Sequence, residues 1–129
     1  MILSASVFGG MVEIIIDLIL EDKLSLYISP ALIDEVAKKL KEFKANKTII
    51  AKVTTALEKG NTVIPNIKIT TSRDPKDNFL LELAETALAD YLITRDKDLL
   101  DLPGSVWNNT KIVKPEDFLP ILRKLKLLN

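Results

Sequence analysis

Apolar and polar positions along the chain change period several times, and the changes mark its elements. Met1 to Ser6, MILSAS, reads as the functional end of a buried strand, with barely three apolar residues where a central parallel strand usually carries about five or six. After Gly9-Gly10, Val12, Ile15, Ile16, Leu18 and Ile19 recur at helical spacing, which predicts a helix over 10–21 with Glu13 and Asp17 on its wetter side. Leu24 to Ser29 alternates and predicts a strand. Ser29-Pro30 then supplies a helix cap and a first helical residue. The helix it opens carries Leu32, Val36, Leu40 and Phe43 on one face, Glu35 beside that face, and Lys38, Lys39, Lys41 and Lys44 outward. A helix over 47–59 repeats the pattern with Ile49, Ile50, Val53 and Leu57, and Gly60 reads as its stop.

Val63 to Ile69 alternates at Ile67 and Ile69 but contains Pro65, so it reads as an irregular edge segment. Asp74 to Asn78 is an acidic helix start, followed by a helix of about four turns. Asp90 to Thr94 predicts a short buried strand, with Asp96 and Asp98 just beyond its end and a turn of helix after them. A loop with Pro103, Gly104, Asn108 and Asn109 leads to a last strand over 111–113 and a closing helix over 115–125. Alternating strands and helices argue for an α/β fold whose parallel sheet is covered by helices, and no linker or repeat divides residues 1–129.

Composition narrows the chemistry. The chain has no cysteine and no histidine, so disulfides, thiolate zinc sites, cysteine nucleophiles and the commonest general base are all excluded. Carboxylate, hydroxyl, lysine and arginine remain. Eighteen basic and eighteen acidic side chains cancel, so a polyanion has to be held by a local patch rather than by a global field. The apolar run Ile14 to Leu20 carries Asp17 and is too short to span a membrane, and the first residues lack the basic start of a signal peptide. A cytoplasmic protein with no membrane partner is expected.

The two acidic clusters each admit a plain reading. Asp74-Pro75-Lys76-Asp77 resembles a capped helix start, and Asp96 can cap the short helix that contains Asp98. Glu35 can be a solvated helix acid paired with a neighbouring lysine. Taken together, however, the clusters fall where a helix begins and a parallel strand ends, the edge at which α/β folds gather ligands. Carboxylates crowded there repel one another, a cost that a hard divalent cation removes, and an oxygen-only donor set favours Mg2+ or Mn2+. Such sites serve phosphoryl transfer or phosphodiester cleavage by metal-activated water.

The run SRDPKDNFLLELAETALADYLITRDKDLL, with LSLYISPALIDEVAKKL and ILSASVFGG before it, resembles the PIN-domain family, nearest its prokaryotic toxin components of toxin–antitoxin pairs. The resemblance implies a three-layer α/β/α sandwich and a Mg2+- or Mn2+-dependent endoribonuclease acting on single-stranded RNA, with a cognate antitoxin as partner. It assigns the catalytic and metal-binding roles to Glu35, Asp77 and Asp96, with Asp74 and Asp98 as further or alternate metal ligands. Thr94 matches the family's hydroxyl that orients a carboxylate or a water, and Ser4 the serine that follows its first strand. The family opens with D-T-N, which would fall just ahead of Met1. This chain is accordingly expected to have a truncated first central strand, to be impaired in catalysis, and to form a homodimer.

For RNA contact, Arg73 and Arg95 flank the carboxylates, and Lys38, Lys39, Lys41, Lys44, Lys47 and Lys52 form a candidate basic patch on the two middle helices. Phe43, Phe79 and Phe118 fall at apolar helix positions and read as core, so no stacking platform is visible. Two other classes compete. One is a non-catalytic PIN-fold module that binds an antitoxin or its own twin. The other is a doubly wound receiver or nucleotide-binding domain, disfavoured because no glycine-rich phosphate loop is present.

Overall fold

The computed structural model describes residues 1–3, 13–70 and 77–128. Their order is β1 (Ile2–Leu3), α1 (Glu13–Leu20), β2 (Tyr27–Ile28), α2 (Pro30–Glu42), α3 (Lys47–Lys59), β3 (Asn61–Thr62), α4 (Asn78–Ala87), β4 (Tyr91–Ile93), α5 (Lys97–Leu100), β5 (Val106–Trp107), β6 (Thr110–Val113) and α6 (Pro115–Lys124). β1, β4 and β6 pair in parallel, with Ile2 opposite Leu92 and Leu92 opposite Ile112, and β5 closes that edge antiparallel to β6. β2 and β3 form a second parallel pair.

Met1 joins the two sheets. Its amine donates to the Ser25 carbonyl at 2.7 Å, and the Tyr27 amide donates to its carbonyl at 2.9 Å. One residue bonding the residues on either side of Leu26 is the pattern of parallel neighbours, so the strands run continuously as β3, β2, β1, β4, β6, β5. The same burial lowers the Met1 amine below the ordinary terminal value, chiefly by desolvation, against the pull of Asp90.

Helices flank this mostly parallel sheet, as expected for a three-layer α/β/α fold. α1 packs on α3, α2 on α4, and α4 also against β2. The core is aliphatic, with Ile2, Ile15, Leu32, Val53, Leu81, Leu83, Leu92 and Leu99 all but inaccessible, and each such side chain contributes about 1.5–3 kcal/mol through burial. Phe118 of α6 is buried with them, its ring tilted against Tyr91 of β4 at 5.2 Å between centroids.

Several expectations change. The strand foreseen over 24–29 is confined to Tyr27–Ile28, and the edge pairing precedes the Val63–Ile69 segment at Asn61–Thr62. α4 spans ten residues, shorter than four turns, with Asp77 at its N-cap. The loop after α5 contains a hairpin: Trp107 pairs with Thr110 across Asn108, whose φ of 52° is left-handed as tight hairpin turns require. Phe43 lies outside the core at 54% exposure.

Four helices close alike without glycine. Asp22, Lys44, Leu88 and Lys126 take left-handed φ, and in each case that amide and the next bond back to the last turn, as Ala45 does to Leu40 at 3.1 Å. Gly60, the expected glycine stop, has an extended φ of −66° instead. Its lack of a Cβ serves close packing, because a Cβ there would stand 3.1 Å from Ile28 Cδ1. Leu88 is 85% exposed, so its left-handed backbone is not offset by burial. Leu88→Gly is expected to stabilise the fold by about 0.5–1 kcal/mol, a rise in Tm of roughly 2–4 °C. A lower Tm in a thermal melt would contradict this account of the helix end.

Candidate active site

Parallel strands place their carboxyl ends at one edge of the sheet. α2, α5 and α6 begin there, after β2, β4 and β6, while α4 ends just before β4 and so begins at the same edge. From β1 the chain moves to β2 and β3 on one side and to β4 and β6 on the other. The β1/β4 junction is therefore the point at which the winding reverses, where open α/β sheets bind ligands.

Thr94 stands at that junction. Its amide bonds to the Val113 carbonyl at 3.0 Å, extending the β4/β6 ladder by one residue, and its side chain is fully buried. The hydroxyl accepts from the Asp96 amide at 3.1 Å and donates to Asp96 Oδ2 at 3.3 Å. One buried hydroxyl thus bonds both the backbone and the carboxylate of Asp96. Thr94→Val removes both contacts. On the RNA cleavage that the sequence resemblance implies, it is expected to cost about tenfold in rate, while Thr94→Ser largely preserves it. Equal rates for all three proteins would show that Thr94 is only core filling.

The acids at the helix starts do not act as caps. Asp96 and Asp77 occupy the N-cap positions of α5 and α4, yet neither makes a side-chain cap bond. Capping here is done by neutral residues: Ser29 Oγ accepts from the Leu32 amide at 3.3 Å, and Asn46 Oδ1 from the Ile49 amide at 2.9 Å. Asp98 follows in the first turn of α5. Asp77, Asp96 and Asp98 are half-buried, and each is engaged by neighbours. Glu35, also half-buried, lies in the second turn of α2, the helix packed on α4. Ser4, Arg73 and Asp74 lie outside the described residues. Among the described residues, no three acidic or other metal-ligating side chains gather closely enough to hold an ion.

The cations divide differently from the sequence expectation. Arg95 Nη1 is 2.6 Å from Glu116 Oε1 in the first turn of α6, so a phosphate at Arg95 competes with that carboxylate. Lys52 reaches Asp17 at 3.1 Å and ties α3 to α1, outside any common lysine patch. The Asp17 hydrogen bond is also the main cause holding Lys52 above the ordinary lysine value. Lys39 lies 3.5 Å from Glu42 and 5.8 Å from the centre of the Phe43 ring, while Lys38 is exposed. Periodicity could not reveal the Arg95–Glu116 pair, whose partners meet only through the β4/β6 pairing.

The comparison with known families decides the kinship. A family model described as PIN domain matches residues 1–98. The chain belongs to the PIN domain family. PIN domains are generally of nuclease type and typically depend on divalent metal. The match covers β1 to β4 and every candidate site residue from Ser4 to Asp98, while β5, β6 and α6 lie beyond it. An uncharacterized protein of Methanocaldococcus jannaschii is 35% identical to this PIN domain over 94 residues, covering 68% of this chain and 60% of that protein. The chain thus spans about 60% of the length of the curated relative it matches. No solved structure matches it. No helix among the described residues is long and apolar enough to cross a membrane.

Proposed function

We propose that this chain is a Mg2+- or Mn2+-dependent endoribonuclease of PIN type that cleaves single-stranded RNA as the toxin of a cytoplasmic toxin–antitoxin pair. The observation that carries the nuclease reading is the behaviour of Asp77 and Asp96, which stand at helix N-caps without capping, at the sheet's ligand-binding edge. The described donors are all oxygen, which suits a hard cation. The resemblance assigns it to Asp96, Asp77 and Glu35, with Asp74 and Asp98 as alternates, although the described acids do not gather closely enough to hold an ion as they stand. When bound, the cation supplies an activated water and neutralises charge on the scissile phosphate.

The chain's own residues divide the remaining work. Thr94 aims Asp96, and Arg95, released from Glu116, takes a non-bridging phosphate oxygen. The toxin role and the antitoxin partner rest on the resemblance of the T-x-D-x-D and DP-x-DN segments to prokaryotic toxin PIN domains.

The test is cleavage of labelled single-stranded RNA in Mn2+ and in EDTA, by this chain and by a form extended with a D-T-N strand. Mn2+-dependent cleavage by either form supports the nuclease. The second reading, a non-catalytic PIN-fold module that binds an antitoxin or its own twin, is favoured by the lack of a three-carboxylate nest among the described residues. Cleavage by neither form would establish it over the enzyme.

A further inference from the structure

The turn between α2 and α3 presents an aromatic ring to solvent within a basic segment. Residues 38–47 hold five lysines, Lys38, Lys39, Lys41, Lys44 and Lys47, against one acid, Glu42. Phe43, the C-cap residue of α2, is 54% exposed in their midst, with the Lys39 ammonium 5.8 Å from its ring centre. An exposed phenylalanine costs apolar burial that this fold obtains elsewhere.

The turn that carries the ring is tightly hydrogen-bonded. The Phe43 amide bonds to Lys39 O at 3.0 Å, the Lys44 amide to Lys41 O at 3.2 Å and the Ala45 amide to Leu40 O at 3.1 Å. Asn46 caps α3 at the next residue. The backbone that carries Phe43 is therefore already fixed, so binding has only the ring's own rotamers left to order.

We infer that the α2–α3 turn is a second contact for single-stranded RNA, in which an unpaired base stacks on Phe43 while Lys41, Lys44 and Lys47 hold the adjoining phosphates. The inference rests on the RNA substrate of the proposed function and adds a subsite to it. Ring and lysines together match the two surfaces of a single strand, base face and phosphate. An acidic polypeptide would use the lysines but has no base to stack on the ring. From Glu35 to Phe43 is eight residues of α2, about 12 Å, which a stacked strand covers in about three to four nucleotides. The bound strand runs from the carboxylate edge down α2 to the turn.

The test is fluorescence anisotropy of a labelled oligouridine in EDTA, where no cleavage is scored and a failure of the metal chemistry leaves the result intact. Phe43→Ala is expected to weaken binding by about fivefold or more, the lower end of one base–aromatic stack, whereas Phe43→Trp retains it. Lys41→Gln with Lys44→Gln is expected to reduce the slope of log affinity against log salt by about 1.4. Thermal melts keep folding in view, since Phe43 lies outside the core. Equal affinity for the wild type and Phe43→Ala would overturn the inference, as would no binding by the wild type. Binding of polyglutamate in preference to oligouridine would also overturn it and identify an acidic protein as the occupant.

Discussion

Asp96→Asn is expected to reduce Mn2+-dependent RNA cleavage by about 100-fold or more while leaving the melting temperature nearly unchanged. The side chains have almost the same shape, and the Thr94 hydroxyl can still bond the amide oxygen, so the local fold persists. What disappears is a negative charge at the β1/β4 junction, and with it the attraction for a divalent cation. The N-cap position makes the test discriminating. Were Asp96 only a cap, asparagine, an equally good capping residue, would leave both rate and stability intact. A rate within about threefold of wild type would remove Asp96 from the chemistry.

Phe118→Ala is expected to cost about 3–5 kcal/mol, lowering Tm by about 10–20 °C. Phe118 is 1% exposed and stacks obliquely on Tyr91 of β4, the strand that delivers Thr94 and Asp96 to the site. It belongs to α6, beyond the stretch that matches the family. A large loss would make the carboxyl-terminal quarter part of the PIN domain's core rather than an appendage. A shift below about 3 °C would make α6 an appendage. The Arg95–Glu116 pair points to the core, because it ties the same helix to the residue beside Asp96.

The elements legible in the sequence are those with local signals. Ser29-Pro30 marks the start of α2 and Pro115 that of α6, and the apolar period of 47–59 coincides with α3. The T-x-D-x-D segment singled out Thr94 and Asp96, which the structure joins by two hydrogen bonds. Phe43 was misread because it continues the spacing of Leu32, Val36 and Leu40. The helix ends at Glu42, and a left-handed Lys44 then turns the chain away from the core.

The helix ends at Asp22, Lys44, Leu88 and Lys126 carry no glycine, so the usual stop signal is missing, while Gly60 does end α3 as read, with an extended rather than a left-handed backbone. The β5/β6 hairpin turns on Asn108-Asn109 between strands of two and four residues, too short for alternation to show. Lys52 and Arg95 looked like free cations because their partners, Asp17 and Glu116, are distant in sequence and near only after packing.

The central claim is that the carboxylates at the sheet's functional edge form a divalent-cation site. Its most direct test is a calorimetric titration of Mn2+ into the wild-type chain and into Asp96→Asn, without RNA. Saturable binding by the wild type, weakened about tenfold or more in Asp96→Asn, is the predicted result. No saturable binding by the wild type, or equal binding by both proteins, would contradict it.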